Sequence, residues 1–498
     1  MRRPGRDVAP AWGWRGYGAG RVAHVDRAAE YQATTVQAAG LYPFSAGSGA
    51  PTVGIPIGRH LLWGETVCLD PMEWLTAGLT VNPGVFVLGQ PGVGKSTMAK
   101  RLSRGLAAMG VRIAVLGDTK PDYTPLVESL GGQVIRVGRG LDRINPLDAG
   151  PLGDAARRLG GAEGERLRVE MRGRRLSSLL ALLTLVRRTA PIAPGEEVIL
   201  GAAIDLLGER LPAGHDPTVP DVLQVIRDGP DQLHAAAETD AVDGYRNETR
   251  ALRQTLGLLL KGPLAGVFDG PTTRPIDLDA PAVSVDLSAL AAAGDTLVAA
   301  AMLATWSYGY ASVDGRAALA EAGLAPRRRT FVILDELWRA LRGAPGLVEH
   351  ADALTRLNRA RGMGHMMLSH SLADLDALPT EEDRSKARGF IDRCAVTILG
   401  GLPPRELAAV DELVPLSGPE RELVGSWSSS GSWEPTAQHP GRGRYLIKTG
   451  GRTGIPVVME LIDDEHELYD TDAAMRLTSP GPPRRASTTP PQETGFRT

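Results

Sequence analysis

Residues 84–97 read Gly84-Val85-Phe86-Val87-Leu88-Gly89-Gln90-Pro91-Gly92-Val93-Gly94-Lys95-Ser96-Thr97. A short apolar run, Val85 to Leu88, leads into Gly89-x-x-x-x-Gly94-Lys95-Ser96, and a helical pattern follows. Strand, glycine-rich turn and helix start are the setting a phosphate-binding loop requires. Glycines at 89, 92 and 94 permit positive φ, so successive backbone N–H groups can turn toward phosphate oxygens. The start of the following helix adds a favourable partial positive charge. Lys95 supplies a mobile cation for the β- and γ-phosphates, and the Ser96 hydroxyl is a ligand for Mg²⁺. The whole loop from Gly89 through Thr97 is therefore read as the cradle of a nucleoside triphosphate.

Around that loop the chain organises itself as alternating strands and helices. A helix is expected from Met98 to Met109, closed by Gly110, and a buried strand from Arg112 to Leu116. Further strands are expected at Val134–Val137, Ala282–Asp286, Phe331–Leu334, His365–Leu368, Ala395–Leu399, Tyr445–Lys448 and Ile455–Met459. Such alternation predicts an α/β fold with a parallel central sheet and right-handed crossovers. Residues 150–262 break the rhythm: they are rich in Leu, Ala and Arg with helical periodicity and read as an all-α insertion. The arginines between Arg157 and Arg188 are open to two readings. They form a basic face for nucleic acid or a neighbouring subunit, or a solvated face paired with Glu163, Glu165 and Glu170. The sheet resumes near residue 282, with a helix from Thr296 to about Tyr310. Arg327, Arg328 and Arg329 precede the strand at Phe331; contact with DNA and a solvated turn are both open.

Composition narrows the class. The 498 residues are 43% hydrophobic and 23% charged, ordinary values for a globular protein of two or three domains. A formal charge of −3 argues against wholesale coating of nucleic acid while permitting local basic patches. Only Cys68 and Cys394 occur; their spacing fits no metal site, which suits buried thiols in a reducing cytosol. No apolar region follows the basic start, and no stretch is long enough to span a bilayer. Residues 1–40, with Trp12 and Trp14, read as an N-terminal arm or linker, and 479–498 as a disordered tail. The ATPase core is then 41–149 together with 263–478.

The second half of the site is expected at Phe331-Val332-Ile333-Leu334-Asp335-Glu336. Four apolar residues ending in two acids describe a buried strand that delivers carboxylates to its C-terminal end, where open α/β sheets place their ligands. Asp335 is placed to hold Mg²⁺ with Ser96. Glu336 is placed to polarise the water that attacks the γ-phosphate, which suits hydrolysis better than transfer to a second substrate. The adjacent acids point to a RecA-like motor that works as a ring, with an arginine reaching the neighbouring site. Arg359 and Arg361 are the candidates.

These elements occur in a fixed order: the phosphate loop, then Asp142-Arg143-Ile144-Asn145-Pro146-Leu147-Asp148, then Ile333-Leu334-Asp335-Glu336, then Arg359-Ala360-Arg361-Gly362. Together they resemble the conjugation ATPases of type IV secretion systems, the VirB/TraC-type members of the HerA–FtsK superfamily of P-loop NTPases. The resemblance covers about residues 41 to 475. It implies a RecA-like P-loop NTPase core with an all-α insertion, assembly as a hexameric ring, and ATP hydrolysis with Mg²⁺ that powers assembly or transfer at a membrane channel. ATP as the nucleotide rests on this resemblance, as do channel proteins as partners and a cytoplasmic location peripheral to the membrane. DNA contact stays open, since a HerA/FtsK-like DNA translocase and a nucleotide-gated coupling component are the alternatives. Two departures stand out. The family ends the strand after its basic motif in Thr-Gln, where this chain has Ser369-His370; a His370 that bonds the γ-phosphate or water, a changed sensor and a simple surface histidine are all open. Members also carry a large N-terminal domain where only some 40 residues precede the recognisable part here, so channel contact is expected from another protein or is missing.

Overall fold

The computed structural model describes residues 49–469 apart from 188–189, 213, 240, 263, 344–346, 349–361, 379 and 429–438. The segments read as an N-terminal arm and a tail, including Trp12 and Trp14, lie outside the described residues, as do Arg359 and Arg361.

The apolar runs become strands, and in chain order these are β1 (Ile55–His60), β2 (Thr66–Leu69), β3 (Gly84–Leu88), β4 (Arg112–Asp118), β5 (Gln133–Arg136), β6 (Ala282–Asp286), β7 (Thr330–Leu334), β8 (Met363–Ser369), β9 (Val396–Leu399), β10 (Arg444–Lys448) and β11 (Ile455–Met459). They form one eleven-stranded sheet in the order β2-β1-β11-β10-β9-β3-β8-β7-β4-β6-β5. From β9 through β5 every pairing is parallel. The other wing, β9 through β2, is antiparallel. Short connections join two of its pairs, β1 to β2 and β10 to β11, the latter through a loop with Gly450 at φ 56°, whereas each parallel pair needs a crossover.

Every residue of β3, β7, β8 and β9 is buried, as expected of central strands covered on both faces. The side chains alternate between two cores. Val85, Val87, Phe331, Ile333, Met366 and Leu368 face one, with Met98, Leu102 and Leu106 of the helix Lys95–Ala108. Phe86, Leu88, Val332, Leu334 and Met367 face the other, against the helix Asp295–Glu321 and the helical block.

Two helix boundaries differ from the sequence expectation. The first helix begins at Lys95 rather than Met98, because its opening turn is polar and carries no apolar periodicity. The helix expected to stop near Tyr310 continues to Glu321. It is buried continuously from Leu297 to Gly315, so it shows no polar face from which an end could be read.

Between Pro151 and Lys261 the described residues form helices, with no strand among them. Asn145 sits at the entrance to this block, buried, and is bonded at every polar group. Its Oδ1 accepts from Leu147 N at 3.1 Å, its Nδ2 donates to Pro217 O at 2.9 Å, and its backbone N donates to Thr272 Oγ1 at 3.1 Å. The turn thus pins the block to the sheet. The arginines of the block are engaged by acids: Arg166 with Glu163, Arg168 with Glu165, Arg174 with Glu170, and Arg172 with Asp205. The solvated-face reading holds for Arg166, Arg168 and Arg172, whereas Arg174 is half-buried and also meets the buried Asp314. No helix of the described residues is long and apolar enough to cross a membrane.

Candidate functional site

Because β3, β4, β7 and β8 run parallel, their C-terminal ends open on the same sheet edge. A cleft of about 220 Å³ lies there, lined by Pro91, Gly92, Gly94, Lys95, Ser96 and Thr97 from one side and by Asp118, Lys120, Asp335, Glu336 and His370 from the other. Gly92 and Gly94 take φ of 85° and 95°, a conformation that favours glycine and turns the loop amides inward. Gly89 serves differently from the expectation: a Cβ there would stand 3.2 Å from Gly400 Cα and 3.0 Å from Val93 Cγ2, so close approach decides the residue. Gly89, Gln90 and Val93 do not line the cleft. Val93 is fully buried, and its carbonyl accepts from Gly443 N at 3.1 Å, while Tyr445 Oη lies 2.7 Å from the Gly94 carbonyl. The antiparallel wing therefore supports the loop from beneath.

Lys95 is buried and donates to Gly89 O at 2.6 Å and Gln90 O at 3.1 Å. Its Nζ also lies 2.7 Å from His370 Nδ1. On the far side of the ring, His370 Nε2 is 3.0 Å from Glu336 Oε1. The ring presents Nδ1 to the Lys95 ammonium and Nε2 to the Glu336 carboxylate. His370 thus bridges the phosphate loop to the acidic pair.

Asp335 and Glu336 diverge in environment although they are neighbours. Asp335 Oδ2 accepts from Ser96 Oγ at 3.2 Å and Tyr123 Oη at 2.9 Å. Burial, then the adjacent Glu336 charge, pushes its carboxyl above the ordinary aspartate range. Glu336 accepts from Lys120 Nζ at 3.0 Å and from His370 on Oε1, and from Trp338 Nε1 at 2.6 Å on Oε2. Burial opposes its ionisation, yet the bonds and charges of His370 and Lys120 prevail and hold it down at about 2. Its backbone is left-handed at φ 54°, which costs a non-glycine residue roughly 1 kcal/mol or more. Glu336 thus holds a strained conformation in the turn between β7 and the helix Leu337–Leu341, beneath the side chains of Lys120, Trp338 and His370. Lys95 is lowered to about 8 by burial, against the pull of Asp335 and Glu336.

The Ser96 hydroxyl and the Asp335 carboxyl, which meet across the cleft, are a hard-oxygen pair suited to Mg²⁺. Among the described residues no group of three or more His, Cys, Asp or Glu is arranged to hold a metal by itself.

Asp118 is 2% exposed in the same cleft. Burial raises its carboxyl from 3.8 to about 7, with the charges of Asp122, Asp286 and Asp335 adding to the effect and the bond from Tyr123 N opposing it. The folded, ligand-free protein therefore keeps a proton there that the unfolded chain releases. That stability is in place below about pH 4 and is lost as pH climbs to about 7. Asp118→Asn should flatten this loss and gain about 1–2 kcal/mol at about pH 8, read from unfolding midpoints of ligand-free protein across pH.

Sequence reasoning passed over Asp118, Lys120, Tyr123, Trp338, Arg442 and Tyr469. The first three follow an apolar strand in the run Gly117-Asp118-Thr119-Lys120-Pro121-Asp122-Tyr123, a signal that becomes legible once β4 is known to neighbour β7. For Arg442 and Tyr469 no local signal exists; they arrive at the cleft from the antiparallel wing.

No protein-family model matches the chain. No curated protein matches it either. Among solved structures, VirB4 of Thermoanaerobacter pseudethanolicus superposes with a TM-score of 0.63 at 20% identity, covering 84% of this chain and 99% of that one. The unbound bacterial conjugative coupling protein TrwBdeltaN70 gives a TM-score of 0.49 at 11% identity, over 83% of this chain and 90% of that one. The plasmid coupling protein TrwB in complex with ADPNP gives 0.49 at 13%, over 79% and 86%. The VirB4 likeness establishes the fold, a RecA-like P-loop NTPase core.

Proposed function

We propose that this chain is an ATP-hydrolysing motor of a conjugative transfer or type IV secretion apparatus. The observation that carries the reading is the convergence of Lys95, Ser96, Asp335 and Glu336 on one cleft, within a fold shared over nearly the whole length of VirB4. In this reading residues 41–149 and 263–478 are the motor core and 150–262 the insertion.

The loop amides around Gly92 and Gly94 and the Lys95 ammonium bind the triphosphate, Lys95 exchanging its carbonyl partners for phosphate oxygens. Ser96 and Asp335 would hold Mg²⁺, which would supply positive charge to the phosphates. Glu336, kept ionised, takes a proton from the attacking water at a carboxylate oxygen. For that it must be freed from Lys120 or His370, and both are donors that a γ-phosphate would attract. His370 is the link by which an occupied phosphate loop alters Glu336. Arg359 or Arg361 from a neighbouring copy completes the site in a hexameric ring, which works at the inner face of the membrane with channel proteins.

The test is steady-state ATP turnover of the purified chain with and without duplex DNA, alongside its mass in solution. Turnover that rises with ring assembly and ignores DNA supports the proposal. Strong stimulation by DNA indicates a DNA-translocating motor instead, and absence of turnover from an assembled ring that binds ATP indicates a nucleotide-gated coupling component.

A further inference from the structure

A second cleft lies apart from the phosphate site. It measures about 370 Å³ and lies at the opposite edge of the sheet, where Thr330 opens β7 and Gly362 precedes β8. Leu278, Val313, Ala317 and Ala320 give it an aliphatic floor. Its rim is cationic, built from Arg316 of the long helix and from Arg327, Arg328 and Arg329.

The charges there do not cancel. Arg316 is paired with Asp279, and Arg329 with Glu73. Among the described residues no side-chain hydrogen bond or ion pair engages Arg327 or Arg328, and both are exposed. Glu321 is the one acid that lines the cleft. Asp279 is held below the ordinary aspartate range, first by its bond from Arg316 and then by the charges of Arg316, Arg112 and Arg328. Positive charge at this rim exceeds the acid that lines the cleft.

We infer that this cleft is a docking site for an acidic polypeptide segment of a partner protein, in which an aliphatic side chain seats on the floor and flanking carboxylates meet Arg327 and Arg328. The lining selects among polyanions. Single-stranded nucleic acid is gripped by stacking bases on aromatic rings, and this cleft has none. A duplex needs a rail of cations and gains nothing from a recessed apolar floor. Membrane surfaces take protruding apolar residues, whereas these are sunk below the rim. A peptide carrying both an aliphatic anchor and carboxylates matches floor and rim together.

The test pans a display library of random dodecapeptides against the full chain and measures the enriched sequences by fluorescence anisotropy. Acidic sequences with a central aliphatic residue should be enriched. Their Kd should rise at least about tenfold in the Arg327→Glu/Arg328→Glu double variant, and similarly in Ala320→Trp, which fills the floor. The double reversal replaces exposed side chains far from the phosphate cleft, so ATP turnover and unfolding midpoint should match the parent and show that the fold is intact. Enriched peptides that lack acidic character, or that ignore both variants, overturn the proposal. So does tighter binding through the same arginines by a duplex oligonucleotide or by phosphatidylglycerol vesicles.

Discussion

Glu336→Gln is expected to lower ATP turnover about a hundred- to ten-thousandfold while leaving ATP binding close to the parent value, since a positioned general base contributes on that scale. The amide keeps the side chain's volume and its place at the end of β7, and no residue that would touch the α- or β-phosphates changes. What it loses is the ability to take a proton. A second, smaller effect follows from the partners in place. The carboxylate accepts from Lys120 and His370 on one oxygen and from Trp338 on the other. Glutamine has a single acceptor oxygen, so either Trp338 or the other pair faces an NH₂ group, a loss of roughly 1 kcal/mol in a buried setting. Turnover by coupled assay and binding of a fluorescent ATP analogue, measured on the same preparation, separate the two. Turnover within tenfold of the parent would remove Glu336 from the role of base and leave it as a strained structural residue.

How much of the fold and the site is legible in the sequence differs by element, for physical reasons. The phosphate loop and the strand ending in Asp335-Glu336 are local patterns: burial of a strand on both faces writes a continuous apolar run, and the acids at its end have one sheet edge to go to. Their meeting was inferable because the sheet is parallel. The position of His370 between Lys95 and Glu336 was not, since it depends on β8 lying between β3 and β7. Lys120 and Tyr123 escaped notice for a similar reason: their partners are 216 and 212 residues away in sequence. The left-handed backbone of Glu336 carries no sequence mark, because glutamate gives no warning of it. The role of Gly89 was misread because a glycine in such a loop is compatible both with positive φ and with close approach, and only the distance to Gly400 decides. Asn145-Pro146-Leu147, which carries part of the resemblance, is a buried turn whose Asn145 side chain bonds Leu147 N and Pro217 O, partners that its own sequence does not announce.

The long helix Asp295–Glu321 yields the largest expected change in stability, from one methyl group. Gly315 lies where this helix passes the helix Pro151–Leu159, and a Cβ there would stand 2.4 Å from Leu152 N and from Pro151 C and 2.6 Å from Leu152 Cα. All three are backbone atoms, so no rotamer change relieves the overlap and the helices must separate. Gly315→Ala should therefore destabilise by about 3 kcal/mol, the overpacking cost outweighing the roughly 1 kcal/mol that alanine gains in helix propensity. Gly208 provides the opposite case. It is exposed near the end of the helix Pro194–Arg210, and a Cβ there meets nothing within 4 Å. Gly208→Ala should stabilise by about 0.5–1 kcal/mol through propensity alone. Chemical denaturation of the two variants beside the parent reads both signs at once. Because Gly315 lies on the joint between sheet and helical block, its variant should also expose the loops of that block to protease first, with the phosphate loop protected longer. Equal shifts for both glycines would mean that the two helices are not in backbone contact, and the helical block would then be tied to the sheet by Asn145 and its neighbours rather than by helix packing.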